Sequence, residues 1–242
     1  MDAEAISKQN DLIRSGRKKM TKEKLAGMID HTLLKPDATL EEVRAFIEEA
    51  RDYGFASVCL NPNYIEMAKL ILEGTKTKVC TVIDFPLGAG GPVIKSLSGF
   101  EALELGADEL DFVADIGLIK AHQWEVFKAN IDALVKVWRS RNSKCVIKII
   151  LETCLLTDEE ITESSKIAAE CGVDFVKTST GFSKSGATVH AVELMKKAVG
   201  NKCGVKASGG IHNYQEAMEM IKAGATRIGA SSGIKILETM NQ

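Results

Sequence analysis

The sequence predicts a TIM-type (β/α)8 barrel preceded by an N-terminal helical extension. Three observations predict it. Short, nearly continuous apolar runs alternate with amphipathic stretches along the chain, as strands of a parallel sheet covered on both faces alternate with helices. Eight such pairs can be counted. No GxGxxG follows the first strand, which speaks against a doubly wound open sheet. The 242 residues show no composition shift that would mark a second domain, so we take residues 1–24 as the extension and 25–242 as the barrel domain.

The first strand is MIDHTLL, residues 28–34. Thr39 with Glu42 three residues later has the form of a capping box and opens the first barrel helix, which ends at Gly54. The second strand, 56–60, leads to Asn61 and to Pro62 at a first helical position, where its missing N–H costs nothing. The third, KVCTVIDF at 78–85, is followed by a glycine-rich loop and a helix closing at Gly106. The fourth spans 109–115, with a long helical stretch at 118–139. The fifth, CVIKIILE at 145–152, precedes a helix from Thr157 to Gly172 whose acidic start suits the helix dipole. The sixth, DFVKTST at 174–180, precedes a helix at 188–199. The seventh, GVKASGG at 204–210, leads to NYQEAMEMIKAG, and the eighth, RIGASSG at 227–233, to a short closing helix.

Composition narrows the function. Hydrophobic residues make up 45% and charged residues 26%, ordinary for a globular enzyme. A net charge of -2 gives no electrostatic reason to bind nucleic acid or a membrane, and 5% aromatics leaves little for base stacking. No apolar stretch is long enough to span a bilayer. The first residues lack the apolar core of a secretory signal, and Asp2, Glu4, Asp11 and Glu23 speak against a mitochondrial presequence. The six cysteines form no CxxC pair, and Cys59, Cys80, Cys145 and Cys203 sit in or beside apolar runs, where a thiol packs as a small hydrophobe. Reduced cysteines in a cytoplasmic protein are the expectation, with no metal site.

Three lysines stand where lysine is unusual. Lys148, Lys177 and Lys206 each interrupt a run that otherwise reads as a buried strand. Burial disfavours the ammonium, and a neutral amine is a nucleophile toward carbonyls. One lysine on a strand is most often salt-bridged, but three on strands five, six and seven of one barrel point to imine chemistry. Such chemistry needs a proton shuttle, for which Asp111 on strand four is the candidate. A second lysine nearby can activate the nucleophile, and the third can pair with Asp111. These considerations assign roles without saying which lysine holds which. Gly181, Gly209, Gly210, Ser231 and Ser232 follow strands six, seven and eight, where barrels of this type frequently hold phosphate. Each of these turns alone is an ordinary one; together they point to a phosphorylated substrate.

The blocks IDHTLLKPDAT, LETCLLTDEEI, DFVKTSTGFS, GVKASGGI and RIGASSG resemble the deoxyribose-phosphate aldolase family, and the similarity runs from about Leu25 to Ile236. The resemblance implies a cofactor-free class I aldolase that reversibly cleaves 2-deoxy-D-ribose 5-phosphate to acetaldehyde and D-glyceraldehyde 3-phosphate. It implies that Lys177 forms the Schiff base, Lys206 lowers its pKa, Asp111 transfers protons and Lys148 is the partner of Asp111. Gly181, Gly209, Gly210, Ser231 and Ser232 match its phosphate-binding positions. Departures are Asp84 where glycine is common, Gly90-Gly91-Pro92 where a threonine pair is common, Asp115 for asparagine and His212 for arginine. The alternatives are a barrel of other lysine-dependent chemistry, such as a transaldolase, and an inactive barrel that binds sugar phosphates. The expected partners are small phosphorylated sugars and aldehydes, with a homodimer as the expected assembly.

Overall fold

A computed structural model describes residues 20–241. The extension expected at 1–24 lies largely outside the described residues; its last part enters helix α1, Lys22–Ala26, which runs across the expected boundary. Eight parallel strands, β1 Ile29–Leu33, β2 Ser57–Leu60, β3 Lys78–Ile83, β4 Glu109–Val113, β5 Val146–Ile150, β6 Phe175–Lys177, β7 Gly204–Ser208 and β8 Arg227–Ala230, pair in sequence order. The ladder closes where β1 pairs β8 through Ile29 and Ile228. This is the expected (β/α)8 barrel.

The surrounding helices are α2 Leu40–Asp52, α3 Ile65–Ile71, α4 Gly91–Glu104, α5 Ile116–Lys120, α6 Trp124–Arg141, α7 Asp158–Glu170, α8 Val189–Val199, α9 Tyr214–Ala223 and α10 Gly233–Glu238. The capping box of α2 forms as the sequence predicts: Glu42 N donates to Thr39 Oγ1 and Thr39 N to the Glu42 carboxylate. Thr157 and Glu160 make the same reciprocal pair at α7. Pro62 opens a 3-10 turn, Pro62–Tyr64, directly ahead of α3.

One predicted helix is divided, and strands four to eight stop short of their predicted ends. The stretch expected to be one helix at 118–139 is two, α5 and α6, because His122 between them takes the left-handed region (φ 53). Strand four stops at Val113, so Asp115 is not on the strand: its side chain accepts from Leu118 N and caps α5. Strand five stops at Ile150, and Glu152 beyond it is left-handed (φ 55), which breaks the alternation that a sixth and seventh strand residue would have followed. The layer between strands and helices is apolar, with Phe55, Phe112, Phe127 and Trp138 among its largest buried side chains. Gly99 of α4 lets that helix lie against Trp138 of α6, since a Cβ there would sit 2.3 Å from the indole ring.

Candidate active site

The interior of the barrel is charged. Register places Asp111 beside Lys148 across β4 and β5, and Lys177 beside Lys206 across β6 and β7. All four side chains point inward and are buried. Asp111 sits at the centre. Its Oδ1 accepts from Lys148 Nζ at 2.7 Å, and its Oδ2 accepts from both Lys177 Nζ at 2.8 Å and Lys206 Nζ at 2.7 Å. Two amines on one carboxylate oxygen are necessarily close neighbours.

Further groups complete the cluster. Lys206 reaches Asp30 at 2.5 Å, Lys148 reaches Glu109 at 2.6 Å, and Arg227 bonds to Asp30 at 2.6 Å and Glu109 at 3.2 Å. Three carboxylates therefore face four basic side chains, one positive charge in excess if all four are protonated. Burial pulls the Lys148 and Lys206 amines down, but the carboxylates around them win: Asp111 first in both cases, joined by Asp30 for Lys206, holds both above the ordinary lysine range as fixed cations. Burial raises Asp111, and the three surrounding ammonium groups, Lys148 foremost, bring it well below the usual carboxylate range. It stays an anion.

Lys177 is placed differently from the other two. A cavity of about 300 Å³ opens at the C-terminal ends of the strands, and its wall includes Lys177 together with Thr32, Lys35, Thr180, Gly181, Ser208, Gly209, Gly210, His212 and Ser231. Lys148 and Lys206 lie beneath it, fully buried. A larger surface hollow near His122, Trp124 and Glu160 is lined by none of the strand lysines and stands apart from this chemistry.

The cavity wall is built to meet an anion. Gly181, Gly209 and Gly210 all take positive φ, and their amide N–H groups make no hydrogen bond among the described residues. Successive free amides of this kind attract negative charge. Gly209 packs against Gly186, where a Cβ would fall 2.2 Å from the Gly209 carbonyl oxygen, so the two loops meet backbone to backbone. Ser208 Oγ is buried without a protein partner and is left for whatever fills the cavity. Ser232 lies one residue past Ser231, ahead of α10, and is not in the wall. No carboxylate lines the cavity, while Lys35 and His212 do.

Sequence reasoning missed several members. Cys80 is more than a packing thiol: its Sγ donates to Asp111 Oδ1 at 3.2 Å and accepts from Lys148 Nζ at 3.3 Å. Glu109 and Arg227 stand at the starts of β4 and β8; their signal was a charge in a strand, Arg227 in register with Lys206 and Glu109 two residues before Asp111 on the same strand. Two donor groups lie close enough to hold a metal ion, Cys59–Cys80–Asp111 and Asp30–Cys80–Glu109. The Lys148 ammonium already bonds to Cys80, Asp111 and Glu109, and so takes that place with its own charge.

A closed parallel barrel with one of its strand lysines at the cavity wall, a carboxylate on that amine and unpartnered backbone amides in the same wall defines an enzyme of the lysine-dependent aldolase class. Comparison with known proteins agrees. Residues 24–239 match the model of the DeoC/LacD family aldolases. Deoxyribose-phosphate aldolases of Caldanaerobacter subterraneus subsp. tengcongensis and Clostridium tetani are each 52% identical, over 88% and 87% of this chain and 92% and 96% of theirs. A solved deoxyribose phosphate aldolase from Aeropyrum pernix, described as a tetramer, superposes with a TM-score of 0.86 at 36% identity, over 96% of this chain and 98% of that one. This chain belongs to the DeoC/LacD family of aldolases.

Proposed function

We propose that this chain is a class I aldolase that reversibly cleaves 2-deoxy-D-ribose 5-phosphate to acetaldehyde and D-glyceraldehyde 3-phosphate, the activity its relatives are named for. The single observation that carries the assignment of roles is that, of the three strand lysines, Lys177 alone lines the cavity.

Lys177 Nζ adds to the C1 aldehyde of the open-chain sugar, and loss of water gives the iminium. Deprotonation of the C3 hydroxyl then breaks the C2–C3 bond. The bonding pair moves into the iminium, leaving an enamine on Lys177 and releasing D-glyceraldehyde 3-phosphate. Protonation of the enamine carbon and addition of water return acetaldehyde and the free amine. The iminium is the electron sink, so the step requires no metal or cofactor.

Lys206 remains a cation beside Lys177 on the same carboxylate oxygen, and Lys177 is the one of the two that lines the cavity and meets the aldehyde. Asp111, already on Lys177, accepts and returns protons as water leaves and adds, and Lys148 holds it in place. The amides of Gly181, Gly209 and Gly210, with Ser231, take the phosphate, and Ser232 stands behind Ser231 at the start of α10. The six free cysteines fit a reducing, cytoplasmic setting. A homodimer has a surface available: α4 exposes Val93, Ile94, Leu97 and Phe100 to the outside. A coupled assay for D-glyceraldehyde 3-phosphate release, run with a chelator, tests the proposal. Turnover that survives the chelator supports it, and absence of turnover with intact binding favours an inactive sugar-phosphate binder.

A further inference from the structure

We infer that Glu152 is a positioning residue that sets the loop Thr180–Phe182 and thereby leaves the Gly181 amide free for the phosphate end of the substrate; this rests on the aldolase reading above. Glu152 has φ 55 and ψ 59, a conformation that a non-glycine residue adopts only where its surroundings hold it there. The surroundings are the end of β6. Leu151 N donates to Lys177 O at 2.9 Å, and Thr153 N donates to Thr178 O at 2.9 Å, so the chain on either side of Glu152 is tied to the strand that carries Lys177.

The left-handed turn sends the carboxylate beneath the following loop, where the residue is 2% exposed. No lysine or arginine pairs with it among the described residues. Its Oε2 is used by Thr180 instead: Thr180 N donates to it at 3.3 Å and the Thr180 hydroxyl makes a short bond to it, while Oε1 accepts from the Cys154 thiol at 3.8 Å. That hydroxyl in turn accepts from Phe182 N at 3.0 Å. Phe182 is held further by an edge-on contact with Phe85, ring centroids 5.3 Å apart. The amides before and after Gly181 are thus occupied within the protein. The Gly181 amide is the one left without a partner, at φ 88 in the cavity wall.

A buried carboxylate without a cation is costly to keep. Here its acceptor capacity decides which of three successive amides faces the ligand. The role is positioning, since Glu152 is absent from the cavity wall.

The test uses Glu152→Gly, which removes the carboxylate at a position where glycine carries no backbone penalty, and Glu152→Gln, which keeps an acceptor for Thr180 N. Steady-state kinetics are compared on 2-deoxyribose 5-phosphate and on 2-deoxyribose. For Glu152→Gly we expect KM for the phosphorylated sugar to rise about tenfold or more, with KM for the free sugar changing less than about twofold; Glu152→Gln should return to within about threefold of the parent. An equal change on both sugars, or a glutamine variant as impaired as the glycine variant, overturns the inference. Should Glu152→Gly fail to fold, Thr180→Val, which removes the bridging hydroxyl, must show the same split, and its absence counts equally against it. Titration with inorganic phosphate separates this inference from the aldolase reading. A parent that binds phosphate but turns nothing over refutes the reading, and weaker phosphate binding by Glu152→Gly than by the parent still supports the loop's role.

Discussion

The charges of Lys148, Lys206 and Asp111 in the barrel interior are held by their neighbours. Lys148 and Lys206 are held as cations by carboxylates, while Lys177 shares Asp111 Oδ2 with Lys206 and alone reaches the cavity. Lys206→Met removes the fixed cation that opposes a second charge. Its turnover should fall by about a hundredfold or more, as for loss of a group that acts on the nucleophile, and the acid limb of its pH–rate profile should move to higher pH. An unchanged profile would leave Lys206 a packing residue. Asp111→Asn withdraws one of three carboxylates from buried cations and should destabilise the fold by roughly 3–5 kcal/mol in denaturant titration, the cost of breaking a buried pair. The strand lysines were legible because a charge inside an apolar run is conspicuous in one dimension. Cys80 was not, because a cysteine in a strand reads the same whether it packs or hydrogen-bonds; its register partner on β4 is Glu109, and only the closed barrel interior brings its thiol to Asp111.

The elements owe their ends to side chains that can be tested singly. Glu160 closes the capping box of α7 and also takes the Lys120 ammonium at 2.8 Å. The Lys120 bond first, and the Thr157 amide second, hold its carboxyl down at about 2, against an ordinary 4.5. A depressed carboxyl stabilises the fold fully above its ordinary range and loses that contribution as pH falls through the depressed value. Glu160→Gln should therefore be less stable than the parent by about 1 kcal/mol or more at pH 7. The gap should narrow between pH 4.5 and about 2, followed by parallel denaturation curves at each pH. A gap that is constant with pH would mean the charge contributes nothing. The capping box of α2 was readable from Thr39 and Glu42, as was the start of α3 from Pro62. The break between α5 and α6 and the end of strand five were not. His122 and Glu152 take left-handed geometry that their residue types do not advertise, so a break after α5 and an early stop to β5 had no sequence signal.

At the scale of the molecule, the number and order of strands followed from alternation alone. Closure of β1 on β8 and the meeting of Gly186 with Gly209 require the barrel itself. One outer surface remains unusual. Helix α4 buries Lys95 and Gly99 inward while Val93, Ile94, Leu97 and Phe100 face out. An outward apolar face of this kind is the mark of an interface. Leu97→Glu with Phe100→Glu should convert a dimer to a monomer by light scattering while leaving kcat/KM unaltered. A parent that is monomeric across the same concentration range would refute the homodimer.

The central claim is that Lys177 is the amine that bonds to the substrate. Reduction with borohydride in the presence of acetaldehyde, followed by mass mapping, tests it most directly. The account predicts a two-carbon adduct on Lys177, none on Lys148 or Lys206, and neither adduct nor turnover in Lys177→Leu. An adduct on another lysine, or a Lys177→Leu variant active within a few-fold of the parent, would contradict it.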